Sequence, residues 1–421
     1  MEVTWIRERS QKISYGLIFL LLLASLTYAF SFDRGPLKSL FYVVSFAACL
    51  ILSFLRLRHP SIRKDLRFRL SQNKVVLSLV LLYIALIWLS ALKTGVQPKL
   101  VNLIVSSTTL IFIHLFFPVI TSQSKDVDRL IKAIVVIGMA AVAVSWLMYF
   151  GKVILNVDWG VILRRDLVLE KKDLLEKLGI PFAMKGPFVH SNYLGLLVAL
   201  LVPCLLYILR TSKSLRIRRW VGISLGSCFF TLVTSLSVIS AIPAALTALG
   251  FVFVRRPWFH QAIRVGAVVL ILFFNLAVIA RIDMQFMHRL PIRSDTRILL
   301  WNRAIELIHQ GGEWGTNTTH AYQSMPFNMR AHNTIIDTAL VNGIPAMIVY
   351  SLYLILILFV ITPRSEVPLS LCVFYIVIST IAMQFFEYLP FGRVGVIMNF
   401  FFLITTVPYI FALKSSPADT N

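Results

Sequence analysis

Uncharged apolar stretches decide the fold, and residues 75–92 are a clear case, with the sequence VVLSLVLLYIALIWLSAL. A helical run of about 20 apolar residues is long enough to cross the hydrocarbon core of a bilayer. The whole chain shares this character, since 58% of its 421 residues are hydrophobic, 14% are charged and the mean hydropathy is +0.80. Water-soluble globules of this size do not have such a composition. The sequence therefore predicts an all-α membrane protein.

Working outward from residues 75–92, similar runs predict about 12 transmembrane helices. They lie at residues 14–31, 38–55, 75–92, 100–120, 131–150, 192–209, 220–236, 238–254, 262–280, 344–361, 367–386 and 394–413. These crossings leave no room for a large soluble domain, so residues 1–421 are expected to form a single polytopic membrane domain. The first run has basic residues before it, as a signal peptide does. It is too long and lacks a small-residue cleavage site, so a retained anchor is predicted.

Basic residues indicate how these helices are oriented. If the amino terminus is cytoplasmic, the basic tracts at residues 56–74, 210–219 and 255–264 all fall on the cytoplasmic side, as the positive-inside rule requires. Both termini are then cytoplasmic. Two long loops, residues 151–191 and 281–333, then lie on the outer side of the membrane, and we name the second, in which candidate catalytic residues are found below, the catalytic loop.

The net charge of +22 divides into +16 on cytoplasmic segments and +6 on outside segments. The positive-inside rule explains the first value but predicts few cations outside. The outside Arg and Lys side chains therefore favour an anionic ligand, for which phosphate is the obvious candidate. Membrane lipids are expected partners and nucleic acid is not.

The catalytic loop contains a predicted amphipathic helix at residues 295–310, with Ser294 as its candidate cap. The apolar face comprises Leu300, Trp301, Ala304, Ile305, Leu307 and Ile308, and the polar face Asn302, Arg303, Glu306, His309 and Gln310. Arg297 falls inside the apolar sector. Its guanidinium either extends out to water or points into a protected site that holds an anion.

The same loop closes with the sequence MRAHN at residues 329–333, before a predicted short helix at residues 334–341 and a break at Gly343. A short helix followed by a break is typical of backbone that lines a cavity at the membrane edge. His332 is expected in the first turn, where the helix dipole disfavours the imidazolium, so the ring can accept a proton. An ordinary surface histidine is the alternative.

The first outside loop, residues 151–191, ends in the sequence KGPFVHSNY at residues 185–193. His190 and Asn192 are candidates to orient a sugar, although Ser191 and Asn192 could equally cap the next helix. Mixed charges at residues 164–177 predict an amphipathic helix at the lipid surface.

The last outside turn holds Glu387 and Arg393. The carboxylate could hold an active-site arginine or orient a histidine, or it could pair with Arg393 alone. Both are candidate substrate contacts, together with Arg330 and Asn333 in the catalytic loop.

Several motifs are missing from the sequence. We find no paired-carboxylate metal motif, glycine-rich phosphate loop or zinc spacing, so no metal and no cofactor are predicted. Ionisable groups are nearly absent from the predicted spans, which disfavours an ion-coupled carrier. The cysteines are expected to be packing residues, and they are Cys49, Cys204, Cys228 and Cys372.

These features resemble the O-antigen ligase and polymerase family of bacterial membrane glycosyltransferases. The catalytic loop is similar in its arginine-bearing helix at residues 294–301 and in its closing His332 and Asn333. Residues 186–194 resemble the family's Gly-Pro-Phe and His-x-Asn-Tyr block. The layout of 12 spans with both ends inside is similar as well.

The resemblance implies that His332 is the catalytic histidine, Arg297 the arginine of the loop helix and Glu387 the late acidic residue. One departure lies between spans seven and eight, where members commonly carry Ser-Arg and this sequence has Ser237 followed by Val238. Arg330, Arg393 or another cation would then have to replace that arginine.

The resemblance further implies an inverting, metal-independent transfer of glycan from undecaprenyl pyrophosphate at the periplasmic face of the bacterial inner membrane. An O-antigen ligase, with a lipid A-core sugar hydroxyl as acceptor, is the leading expectation. A polymerase that uses a lipid-linked repeat as acceptor is the alternative, and a transporter of lipid-linked glycan is a third reading.

Overall fold

A computed structural model of the chain describes most of its helical core. The described residues are scattered positions between 47 and 58, then 60–95, 100–120, 124–157, 184, 186–188, 191–235, 237–289, 295–311, 313–316, 323–326, 329–364, 367–385, 403 and 405–410. This part of the chain is all-helical, as predicted.

Thirteen α-helices have defined bounds within the described residues. They are α1 (Pro60–Gln72), α2 (Lys74–Thr94), α3 (Leu100–Ile111), α4 (Phe117–Ile120), α5 (Ser124–Leu155), α6 (Ser191–Thr211), α7 (Leu215–Ser235), α8 (Val238–Val252), α9 (Pro257–Ile279), α10 (Asp295–Gly311), α11 (Thr334–Asn342), α12 (Ile344–Val360) and α13 (Pro368–Gln384). A π-helical turn, Phe112–Phe116, joins α3 to α4, and a 3₁₀ turn, Met284–Arg289, follows α9.

Hydropathy located these helices well. The predicted runs from residues 75–92 to residues 367–386 all fall on helices, and the break expected near Leu236 lies between α7 and α8. Within the described part of the chain, four helices are long and apolar enough to cross a membrane, namely α2, most of α5, α6 and α9, while shorter apolar helices include α12 and α13. The runs at residues 14–31, 38–55 and 394–413 lie wholly or largely outside the described residues, so a count of 12 crossings stays a prediction.

Helix α6 is the centre of the bundle and packs against α5, α7, α8 and α13. Gly250, late in α8, lies against Tyr375 of α13, and Thr247, earlier in α8, bonds to Ser379, further along α13, so α8 and α13 run antiparallel. Gly195, near the start of α6, lies against Ser237 and Ser240 at the start of α8. The beginning of α6 and the end of α13 therefore lie at the same end of the bundle. We call this the site end. Three of the predicted packing cysteines, Cys204, Cys228 and Cys372, are free and buried, and Cys49 lies outside the described residues.

Aromatic rings join three elements at the site end. Phe274 of α9 stacks on Phe385, which follows α13, with ring centroids 5.2 Å apart and an interplanar angle of 19°. Phe274 also contacts Trp301 of α10 in an edge-to-face arrangement, with ring centroids 5.3 Å apart. Such pairs add about 0.5–1.5 kcal/mol to the free energy gained from burying the rings. They hold the loop helix α10 against the bundle.

Candidate functional site

Helix α10 has the amphipathic character that its sequence predicted. The side chains of Trp301 and Ala304 are completely buried, and the rest of the predicted apolar face is at most 7% exposed. Glu306 and Gln310 on the opposite face are exposed. The apolar face packs against α11, α9 and the 3₁₀ turn, so the loop helix is part of the folded core.

Polar side chains of α10 attach it to the end of α9. The imidazole Nε2–H of His309 donates a hydrogen bond to the carbonyl oxygen of Val278 at 2.7 Å. Asn302 donates from Nδ2 to Asp283 at 2.7 Å, and its Oδ1 accepts the backbone N–H of Met284 at 2.8 Å. These bonds fix the position of α10 relative to a helix of membrane-spanning length.

Arg297 is half-buried in the first turn of α10. Residues four apart lie on the same face of a helix, so Arg297 shares its face with the buried Trp301. The structure therefore places this arginine in the apolar sector, as predicted. The cation lies at the edge of the contact between α10 and the bundle.

The short helix after the catalytic loop is also as predicted, and Asn333 is its N-cap. The Asn333 side-chain oxygen accepts the backbone N–H groups of Ile335 and Ile336 at 3.0 and 3.1 Å. Its Nδ2 donates to the carbonyl oxygen of Phe385 at 3.1 Å. The fully buried Asn333 thus ties α11 to the end of α13, and a contact between Asn333 and substrate stays a prediction.

His332 lies just before this cap, so its expected place in the first turn of the helix is wrong. Asn333 takes the cap position because its extended backbone and short amide reach the free N–H groups of α11. His332 has a φ of +53°, in the left-handed region that residues other than glycine seldom adopt. Its side chain is half-buried, whereas Ala331 and Asn333 on either side of it are buried.

Asp337 is the residue of this region that the sequence reading missed. Its side chain is completely buried in α11, and Oδ1 accepts the backbone N–H of Ala331 at 3.2 Å. Burial raises the pKa of the Asp337 carboxyl to about 6, against the opposing effects of the Arg330 charge, the Ala331 N–H and His332. A single charged residue within the otherwise uncharged sequence IIDTALV was the available signal.

The opposite end of α11 is fixed by close backbone packing. Gly315 and Gly343 both have positive φ, and a Cβ atom on Gly343 would lie 2.6 Å from the carbonyl oxygen of Glu313. Ile344 donates its N–H to that same oxygen at 2.9 Å. Ser90 of α2 donates to the carbonyl oxygen of Trp314 at 2.6 Å. The break predicted at Gly343 is therefore the place where two backbone segments meet.

The turn between α7 and α8 lies against the beginning of α6. Ser237 is buried and shares a hydrogen bond of 2.8 Å with Ser240, and a side chain at Gly195 would collide with both. The position at which the family commonly has arginine, Val238, begins α8. Small hydroxyl groups surround this turn in the described residues.

The structure brings some candidate residues together and leaves others aside. Arg330, His332, Asn333 and Asp337 form one cluster, and α10, which carries Arg297, packs against the helix of that cluster. Asn192 is half-buried in the first turn of α6. Three candidates, His190, Glu387 and Arg393, lie outside the described residues, and so do Ser294 and the predicted helix at residues 164–177.

No protein-family model matches the chain, and a search of the curated proteins finds no significant match. Among the described residues, His, Cys, Asp and Glu do not form a group of three or more that could hold a metal. A metal-independent reaction stays a prediction.

Proposed function

We propose that the chain is a membrane glycosyltransferase that moves a glycan from undecaprenyl pyrophosphate to a sugar hydroxyl at the periplasmic face of the inner membrane. The acceptor in this proposal is a sugar of the lipid A core, which makes the protein an O-antigen ligase. A polymerase shares the donor and leaving group, and differs only in using a lipid-linked repeat as acceptor.

One observation carries this proposal. His332, partly exposed in a left-handed turn, and Arg330 both interact electrostatically with the buried Asp337, whose helix packs against the helix that carries Arg297. Strained backbone of this kind persists only where the surrounding structure determines it, and such residues cluster at functional sites. A proton acceptor beside two guanidinium-bearing segments suits the attack of a hydroxyl on a phosphate-activated sugar.

In the proposed reaction, the acceptor hydroxyl oxygen attacks the anomeric carbon as the bond from that carbon to the pyrophosphate oxygen breaks. His332 takes the hydroxyl proton, and the electron pair of the broken bond stays on the undecaprenyl pyrophosphate. General-base assistance of this kind contributes about 10²- to 10⁴-fold to the rate. Arg297 and Arg330 stabilise the charge that develops on the phosphate oxygens, where each preorganised donor contributes on the order of 3 kcal/mol. A direct attack inverts the anomeric centre.

The acceptor decides between ligase and polymerase. Purified protein is incubated with a lipid-linked repeat alone, and in parallel with the same donor plus lipid A core, and the products are identified by mass spectrometry. A ligase produces glycan-bearing core only in the second reaction, whereas a polymerase lengthens chains in the first. Retention of the anomeric configuration would contradict the direct attack.

A transporter of lipid-linked glycan is distinguished by the histidine. A His332→Ala transporter would still move its lipid across the membrane, because the basic residues would only guide the phosphates. A glycosyltransferase with this substitution is expected to lose nearly all turnover. Failure of the wild-type protein to transfer glycan to either acceptor would overturn the proposed function.

A further inference from the structure

Asp337 occupies a position where a carboxylate destabilises the fold. The side chain is completely buried, and Oδ2 has no hydrogen-bond partner among the described residues. A buried polar atom without a partner costs about 1–3 kcal/mol, and more if it is charged. Its neighbours in α11, Ile336 and Ala339, are apolar and equally buried. Packing alone therefore gives no reason for an acid here.

The contact that Asp337 does make reaches back across the start of its helix. Oδ1 accepts the N–H of Ala331, which immediately precedes His332. Asn333, immediately after His332, is held in turn by the cap bonds to α11 and by the carbonyl oxygen of Phe385. The left-handed His332 residue is thus anchored on both sides, and Asp337 provides the anchor on its amino-terminal side.

The charge of Asp337 acts on the same short segment. Arg330 and His332 are the two titratable side chains whose electrostatic interaction favours its ionised form. The helices packed against α11 are α10, α9, α12 and α2, so the carboxylate faces its cationic neighbours from inside the bundle. The negative charge is therefore directed toward the catalytic loop.

We propose that Asp337 is a positioning residue for the transfer reaction, which fixes the turn that presents the His332 imidazole and holds the Arg330 guanidinium next to it. This inference rests on the function proposed above. Asp337 itself is too deeply buried to contact substrate. Its Oδ1 sets the backbone of the turn, and its charge sets the orientation of the two side chains that flank Ala331.

Turnover of matched variants tests the role of the charge. Asp337→Asn keeps an oxygen that can accept the Ala331 N–H but removes the charge, and we expect kcat to fall by about 10²-fold, as misplacement of a reacting group does, with KM for the donor little changed. Thr338→Val is the control, because it removes a neighbouring buried hydroxyl that donates to the carbonyl oxygen of Thr334 in the same helix. Wild-type kcat in Asp337→Asn would overturn the proposal.

Hydrogen exchange tests the anchor without relying on activity. In the full-length protein in detergent, Asp337→Ala is expected to speed amide exchange in peptides that contain Ala331, while Asp337→Asn and Thr338→Val leave it near the wild-type rate. Unchanged exchange in Asp337→Ala would overturn the positioning role even if transfer is observed. If the wild-type protein transfers glycan to neither acceptor, the proposed function fails and the exchange rates still decide whether Asp337 anchors the turn.

Discussion

The side-chain amide of Asn333 donates to the carbonyl oxygen of Phe385 at 3.1 Å and so joins the cap of α11 to the residue that follows α13. The same side chain also accepts two backbone N–H groups of α11 through its oxygen. One amide therefore connects the turn that carries His332 to a helix that is 52 residues away in sequence. The site depends on this connection for its place at the end of the bundle.

Two substitutions separate these functions of Asn333. Asn333→Ala removes the cap and is expected to cost about 1 kcal/mol from that loss alone, in addition to the bond to Phe385. Asn333→Ser keeps an oxygen that can cap the helix and loses the Nδ2 donor without adding a charge, so its thermal unfolding midpoint should lie between those of the wild type and Asn333→Ala. Equal midpoints for Ser and Ala would show that the oxygen does not contribute.

Replacing His332 with asparagine removes the proposed general base but keeps a residue that can adopt the left-handed backbone conformation. Asparagine tolerates positive φ better than most residues, so His332→Asn should unfold at nearly the wild-type temperature. Its turnover should fall by about 10²- to 10⁴-fold, because no proton acceptor remains. Glycan transfer by the purified variant at saturating donor measures this loss. Wild-type turnover in His332→Asn would rule out the proposed base.

Arg297→Lys tests whether the cation binds phosphate oxygens as a planar fork. An ammonium group is a point charge and cannot reproduce the two parallel bonds of a guanidinium, so transfer should be strongly reduced. Arg303→Lys on the polar face of the same helix is the control, because Arg303 pairs with the exposed Glu306. Comparable kcat/KM values for the two variants would count against a specific role of Arg297.

The raised pKa of Asp337, about 6 instead of 3.8, predicts a pH-dependent stability. The folded protein holds this proton more tightly than the unfolded chain, so the free energy of unfolding decreases as the pH rises from about 4 to about 6. The loss from this one group between pH 4.5 and 7.5 is on the order of 2 kcal/mol. Asp337→Asn lacks the titration, so its unfolding temperature relative to wild type should increase over that interval. A constant difference between the two proteins at both pH values would refute this origin.

Gly343→Ala should destabilise the protein, because the residue combines a φ of +91° with backbone 2.6 Å from the position of the added Cβ. The backbone strain alone amounts to about 1–3 kcal/mol, because a φ of 91° with a ψ of 162° is essentially restricted to glycine. Gly266→Ala in α9 is the matched control, since nothing lies within 4 Å of its Cβ and alanine favours a helix. Thermal unfolding of both variants in detergent gives the comparison. A midpoint for Gly343→Ala at or above that of the wild type would contradict the close packing of these two segments.

Local sequence patterns were enough to find the helices and the two parts of the site that are themselves local. The buried face of α10 follows from the spacing of Leu300, Trp301 and Ala304, and the end of α11 follows from Gly343. These predictions succeed because the pattern and the structure involve neighbouring residues.

The tertiary contacts at the site were not accessible in this way. Asp337 acquires its importance from the burial of α11 among the other helices, because only there does its bond to Ala331, six residues before it, hold a carboxylate out of water. The cap at Asn333, which leaves His332 in the turn before the helix, was missed although it involves only neighbouring residues. Nothing in the spacing of the sequence indicates that Phe385 supplies a carbonyl oxygen to Asn333. This bond joins residues that are 52 apart in sequence, so it forms only when α11 and the end of α13 come together in the fold.

The bond from His309 to Val278 constrains the route by which a substrate arrives. If α10 moved away from the bundle, the carbonyl oxygen of Val278 would lose its hydrogen-bond donor, at a cost in free energy of about 1–3 kcal/mol. The buried indole of Trp301 would also become exposed to water. The donor proposed above carries a polyprenyl tail, which would lie in the leaflet beside the helices. We therefore expect the donor to enter laterally from the bilayer, while α10 stays packed against the bundle throughout the reaction.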